Sequence, residues 1–145
     1  MLADVMKRTL ARRFKKQKRA VYYELGLNRR GRLRADVFAL AMTGHVIVVE
    51  VKSSVADFRT DKKMQGYVDY CNKFYLAVTS SVYAKIKTKF DIPGAGVFIL
   101  SEEGDKILKV LPARNRDIET EVVHNLAIRA AFRNSDTNNR KNVRA

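Results

Sequence analysis

Asp36, Glu50 and Lys52 are the residues whose types and spacing point most directly to chemistry. Asp36 sits in an apolar run over residues 33–40, and Glu50-Val51-Lys52 closes a second run that begins at Val46. Both runs are rich in branched and aromatic side chains and read as strands. The short link over residues 41–45 contains Gly44 and reads as the turn of a hairpin. Folded symmetrically about Thr43, the hairpin sets Asp36 directly across from Glu50, and directly opposed residues share a face. Alternation along the strand adds Lys52 to that face and turns Val49 and Val51 to the other. Two carboxylates side by side in an apolar hairpin are costly unless a cation compensates them. A hard divalent ion such as Mg2+ does so through oxygen ligands, and Lys52 does so through its own charge. A structural Glu50–Lys52 ion pair with Asp36 solvated nearby satisfies the same spacing.

The rest of the chain must position that hairpin. At 145 residues, 46% of them hydrophobic, it is long enough for one domain with a single core, expected over residues 1–133. Residues 2–21 read as an amphipathic helix with a loose stripe of Leu2, Val5, Met6, Leu10, Phe14 and Val21. Tyr22, Tyr23 and Glu24 then lead into a Gly26 to Gly31 turn. Beyond Lys52, Ser53 or Ser54 caps a helix expected over residues 54–71, with Asp57 in its first turn. Residues 74–78 form a continuous apolar run suited to a central strand, and residues 81–90 a helix. Residues 97–101 and 106–111 read as strands around the Glu103-Gly104-Asp105 turn. A last helix over residues 118–132 offers Val122, Leu126 and Ala130 to the sheet. Residues 134–145 are polar without an apolar period, and are expected to form a disordered basic tail. The expected fold class is α/β, a mixed central sheet flanked by helices.

A formal net charge of +14 favours a polyanionic partner, with nucleic acid ahead of an anionic membrane. Arg12, Arg13, Lys16 and Arg19 lie on the polar face of the first helix, and Arg29, Arg30, Arg32 and Arg34 carry the basic run into the strand that holds Asp36. That continuity suggests a phosphate-contacting surface; a solvated face, a membrane-lying helix or a partner groove would use the same helix pattern. The single cysteine, Cys71, excludes an intramolecular disulfide. There is no apolar run of the length of a membrane span or a signal-peptide core, so a cytoplasmic, nucleoid-associated protein with no membrane partner is expected. His45 and His124 lie far from any cysteine pair, which argues against zinc.

Asp36 followed by Glu50-Val51-Lys52 resembles the Asp…Glu-X-Lys core of the PD-(D/E)XK nuclease superfamily, a pattern that many unrelated strands also contain. Longer runs are more specific. Arg34-Ala35-Asp36-Val37, Val49-Glu50-Val51-Lys52-Ser53-Ser54, Ala56-Asp57-Phe58, Asp61-Lys62-Lys63 and the stretch from Tyr67 to Val78 resemble the MmcB-like DNA repair proteins over about residues 20–100. The resemblance implies a restriction-endonuclease-like core and a metal-dependent DNA nuclease. It also implies a supporting carboxylate, for which Glu24 competes with its reading as a helix-terminal or surface acid. Polar residues on the helix after the core face the site in that superfamily, which nominates Lys63 and Gln65; a solvated face explains both equally well.

The function expected from these readings is a Mg2+- or Mn2+-dependent deoxyribonuclease acting in DNA repair or recombination. Asp36 and Glu50 would ligate the metal, with the Val51 carbonyl as a further oxygen, and Lys52 would orient or help deprotonate the attacking water. The alternative is a DNA-binding repair accessory module with the same fold and little turnover. A basic RNA-associated protein fits the charge but leaves the acid pair without a purpose. Endonuclease and exonuclease action, and a monomer or a homodimer, are equally compatible with the sequence.

Overall fold

The computed structural model describes residues 1–29 and 32–144, with side chains up to residue 135. Arg30 and Gly31, both named above, lie outside the described residues. The order of elements is α1 (Leu2–Lys16), β1 (Ala20–Gly26), β2 (Arg34–Leu40), β3 (Val46–Val51), α2 (Val55–Thr60), a 3-10 helix (Met64–Tyr70), β4 (Lys73–Thr79), α3 (Ser80–Ile86), β5 (Gly96–Leu100), β6 (Ile107–Leu111) and α4 (Thr120–Arg144). The six strands form one mixed sheet in sequential order. β3 pairs with β4 and β4 with β5 in parallel; the other neighbours are antiparallel. The expected α/β class, a mixed sheet flanked by helices, is what the chain adopts.

Helices cover both faces of the sheet. On one, Met6, Leu10 and Phe14 of α1 pack against Val37, Val49 and Phe98. On the other, Tyr67, Ile86 and Leu126 pack with Phe38, Val48 and Leu76. Every residue of β3 and β5 is buried, as befits strands covered on both sides. The β2–β3 hairpin has the register expected from symmetry about Thr43, running from Leu40↔Val46 to Val37↔Val49. Its turn closes through a Gly44 N–H to Ala41 carbonyl bond of 2.9 Å, with Gly44 at a φ of 89° that a side chain would strain.

Several expected boundaries move. α1 stops at Lys16, short of residue 21, and the following residues form the edge strand β1. Lys18, with φ at 61°, ends the helix in the left-handed conformation usually given to glycine, and its N–H donates to the Lys15 carbonyl at 2.9 Å. With no glycine to mark the stop, the apolar stripe appeared to run on to Val21. The single helix expected over residues 54–71 is broken: α2 ends at Thr60, and the chain turns extended at Asp61 before the 3-10 helix. The Asp61 Oδ1 accepts from the Lys63 N–H at 2.7 Å, a side-chain bond that competes with the helical ladder. Of the two serines, Ser54 is the cap, accepting from the Asp57 N–H at 3.1 Å. α3 ends at Ile86 rather than residue 90, and α4 continues through residues 134–144, where no apolar period had suggested a helix.

α1 is seated against the β5–β6 turn as well as the sheet. The buried Thr9 hydroxyl donates to the Gly104 carbonyl at 2.7 Å, and Gly104 has φ at 78°. A Cβ at Gly104 would lie 2.8 Å from Met6 Cγ and 2.9 Å from Leu2 Cδ1. Gly104→Ala is therefore expected to cost about 2 kcal/mol in urea unfolding, from left-handed strain plus overpacking. An unchanged midpoint would mean that the end of α1 is not packed on this turn.

Candidate functional site

The acid pair sits where the hairpin ladder stops being regular. Backbone pairing between β2 and β3 ends at Val37↔Val49, and the next opposed pair, Asp36 and Glu50, uses its side chains instead. Glu50 Oε1 accepts from the Asp36 N–H at 3.1 Å, and Asp36 Oδ2 accepts from the Val51 N–H at 2.8 Å. Each carboxylate is thus fixed to the backbone of the opposite strand. A slip in the sheet alternation aims them. Ala35 and Phe38 pack on one face while Val37 packs on the other, and β1 slips likewise, with Leu25 joining the face of Tyr22. Between the pairs Tyr23↔Val37 and Leu25↔Ala35 stand Glu24 and Asp36, and Glu24 has φ at 53°. Such irregularities bend a strand and redirect a side chain.

The two acids are held in an unfavourable state for a pair of anions. Glu50 is only 3% exposed. Burial first, and the neighbouring Asp36 second, push its carboxyl up to about 9. Asp36 is also raised, by its own burial against the relief of the Val51 amide. The nearby lysines are engaged elsewhere. Lys7 from α1 bonds Glu24 Oε1 at 2.8 Å, and Lys52 forms an ion pair with Asp61. The Asp61 carboxyl stays below its usual range: burial alone would raise it, but the hydrogen bonds from Lys52 and the Lys63 amide outweigh that. Tyr67 closes the site from the 3-10 helix, its ring stacked on Phe74 and its hydroxyl donating to the Arg34 carbonyl at 3.0 Å. Its phenol is raised by burial and then by Glu50, Asp36 and Asp61.

Among the described residues, no three His, Cys, Asp or Glu side chains come together as a metal cluster. A cation here would rest on two carboxylates. The donor set nevertheless suits a hard divalent ion. Asp36 Oδ1 and Glu50 Oε2 take no hydrogen bond from the described residues, which leaves one oxygen of each carboxylate for an ion. Mg2+ commonly binds through one or two carboxylates and keeps several waters.

The structure brings some of the expected site residues together and separates others. Asp36 and Glu50 meet; Val51 supplies an amide to Asp36 while its side chain is buried on the α1 face. Lys52 is adjacent but turned to Asp61. Glu24 lies on a strand rather than a helix, half exposed and neutralised by Lys7, near enough to act on Asp36 electrostatically. The Lys63 ammonium lies 3.5 Å from the Arg32 carbonyl, and Gln65 is exposed in a groove of about 300 Å³ with Phe58, Arg59 and Phe90. Asp61, Tyr67 and Lys7 were not singled out in the sequence as site residues. Asp61 had a signal, as the acid in the polar interruption of the apolar stripe; Lys7 and Tyr67 had none beyond residue type.

The basic residues divide in the same way. Arg12, Arg13 and Lys16 are exposed on α1, Arg13 with its guanidinium 5.7 Å from the centre of the Phe98 ring. Arg32 and Arg34 are exposed on the approach to Asp36, and Arg29 lines a second groove with Tyr70 and Arg129. Arg19 is built into the fold at the hairpin-turn end, away from the acids. Its guanidinium donates to the His45 carbonyl at 3.1 Å and lies 2.9 Å from Nδ1 of that ring, whose Nε2 lies 2.7 Å from Asn115 Oδ1. Arg19→Ala is expected to lower stability by about 1–2 kcal/mol and to leave DNA affinity within about twofold. A loss of affinity without a loss of stability, read by filter binding beside thermal melting, would return Arg19 to the DNA surface.

The model of the MmcB-like DNA repair protein family matches residues 2–138 of the chain. The chain belongs to that family. Membership gives it a role in DNA repair and makes DNA its expected partner. Among solved structures, a protein of unknown function from Silicibacter pomeroyi is similar with a TM-score of 0.79 at 25% identity, covering 94% of this chain and 88% of that one. An XisH family protein from Nostoc punctiforme gives a TM-score of 0.49 at 20% identity, covering 74% of this chain and 98% of that one. An fdxN element excision controlling factor protein from Anabaena variabilis gives 0.47 at 21% identity, again covering 74% and 98%. No curated protein matches the chain. None of the described helices is long and apolar enough to cross a membrane.

Proposed function

We propose that this MmcB-like protein is a Mg2+- or Mn2+-dependent deoxyribonuclease that hydrolyses phosphodiester bonds during DNA repair. The observation that carries this reading is an acid pair, Glu50 buried and Asp36 partly buried, whose nearby described lysines, Lys7 and Lys52, are already paired with other carboxylates. Burying such a pair costs stability, and a site that accepts the cost is a natural receptor for a divalent cation. Asp36 and Glu50 would hold the ion through their open oxygens, with the Val51 carbonyl as a further donor. When bound, a divalent ion supplies an acidified water and neutralises charge building on the scissile phosphate.

The chain's own groups do the rest. Crossed bonds to the Asp36 and Val51 amides keep both carboxylates from turning as substrate arrives. Lys52 stands beside the acids to orient the attacking water and offset phosphate charge. Arg32 and Arg34 hold the DNA backbone next to the acids, and the exposed cations of α1 lengthen the contact.

The test is cleavage of supercoiled, linear and branched DNA with Mg2+, with Mn2+ and with EDTA, with Asp36→Asn as the control. Metal-dependent cutting that is lost in Asp36→Asn is the expected result. If the wild type binds DNA with a steep salt dependence but cuts no form with either ion, the protein is a DNA-binding accessory module. In either case, Arg32→Ala and Arg34→Ala are each expected to reduce the salt slope of binding by about one.

A further inference from the structure

We propose that Asp61 is a positioning residue: by holding the Lys52 ammonium it keeps that cation off Asp36 and Glu50 and leaves the two carboxylates open to a divalent ion. The inference rests on the metal-dependent reading above and assigns a residue to it.

Lys52 has two sets of anions within reach. It follows Glu50 by two positions, and its charge is felt by both Asp36 and Glu50. Its ammonium is nevertheless bound to Asp61, with the two side chains only 14% and 10% exposed. An ammonium this far from solvent is weakly screened and must sit on some carboxylate. Without Asp61, the nearest alternative is the acid pair, where it would occupy the place a metal ion needs.

Asp61 is constructed for holding. The break between α2 and the 3-10 helix brings it to Lys52, and its Oδ1 is tied to the Lys63 amide at 2.7 Å, which leaves Oδ2 for the lysine. Both oxygens are therefore in use. Asp61 does not join Asp36 and Glu50 as a third ligand either, because no such three-acid cluster exists among the described residues. Its part in the site is exerted through Lys52.

Mn2+ binding by the full chain, measured by calorimetry at pH 7.5, tests this with Asp61→Asn, Lys52→Met and the double variant. Asp61→Asn is expected to weaken Mn2+ affinity about tenfold, because the freed ammonium now competes for the carboxylates. Lys52→Met should bind at least as tightly as wild type. The double variant should recover wild-type affinity. Wild-type affinity in Asp61→Asn, or a double variant as weak as Asp61→Asn, overturns the proposal, since a merely structural aspartate is not rescued by deleting a lysine. If the wild type itself binds no Mn2+, the metal-dependent reading falls by itself, and the hold on Lys52 is judged by NMR of 13C-methylated lysines. The Lys52 resonance, assigned by its absence in Lys52→Met, should move in Asp61→Asn; an unmoved resonance overturns the proposal.

Discussion

Glu50→Gln is expected to lower metal-dependent cleavage at saturating DNA by on the order of a thousandfold or more, while leaving the salt dependence of DNA binding unchanged. The glutamine is nearly isosteric and can still accept from the Asp36 amide, so the hairpin end keeps its geometry. What disappears is the charge that would hold the ion, and with it the acidified water. Asp36→Asn should do the same and bind DNA somewhat more tightly, because it removes negative charge from the phosphate path. Lys52→Ala should reduce turnover less, by about a hundredfold, since in the proposed mechanism it would act beside the metal rather than through it. Binding curves at several salt concentrations, paired with single-turnover cleavage, separate these effects. A Glu50→Gln protein that cuts at the wild-type rate would remove the acid pair from the chemistry.

The second large effect is on stability, and it runs against pH. The Glu50 carboxyl rises from an ordinary value of 4.5 to about 9 in the folded chain, chiefly through burial and then through Asp36. Between those values the folded state keeps a proton that the unfolded chain has released. Stability therefore falls as pH rises from about 4.5 to about 9, by a few kcal/mol in total. Asp36, also raised, adds in the same direction. The depressed Asp61 carboxyl contributes with the opposite sign, its stabilisation being lost only in acid as pH drops through its lowered value. Urea unfolding in EDTA at pH 5, 7 and 8.5 should show the decline, and Glu50→Gln should flatten it and be the more stable protein at pH 8.5. Excess Mn2+ should restore most of the wild-type loss at pH 8.5, because the ion takes the place of the proton and binds only the folded site. A wild-type profile flat across this range would mean that Glu50 is ionised and hydrated in the fold.

How much of this could be read beforehand depended on whether the cause was local. The hairpin is the clearest success: two runs of branched and aromatic residues about one glycine determine its register, and that register carries on to set Asp36 opposite Glu50, while the slip in the alternation of β2 aims the side chains. The central strands were legible for the same reason, since a strand covered on both faces is a short uninterrupted apolar run. β1 was not legible. α1 ends at Lys16, with Lys18 rather than a glycine in the left-handed conformation after it, and the strand that follows is stabilised by pairing with β2, a partner that lies beyond a turn. The break at Asp61 was hidden in the same way, because an aspartate can sit on a helix surface or stop a helix by bonding to its own backbone, and only the neighbouring lysine decides between the two.

Residue types and their period determined that this chain would fold as a mixed α/β sheet, carry two facing acids on a hairpin and present a strongly basic surface. Tertiary structure decided which charges are spent. It turned Lys52 to Asp61, paired Lys7 with Glu24 and drew Arg19 onto His45, while leaving Arg32 and Arg34 exposed on the run that leads to Asp36. Periodicity follows from the geometry of one strand or one helix, and so is written locally in the chain. The partner of a charge depends on distances between elements far apart in sequence, and those distances exist only once the sheet and its helices have packed.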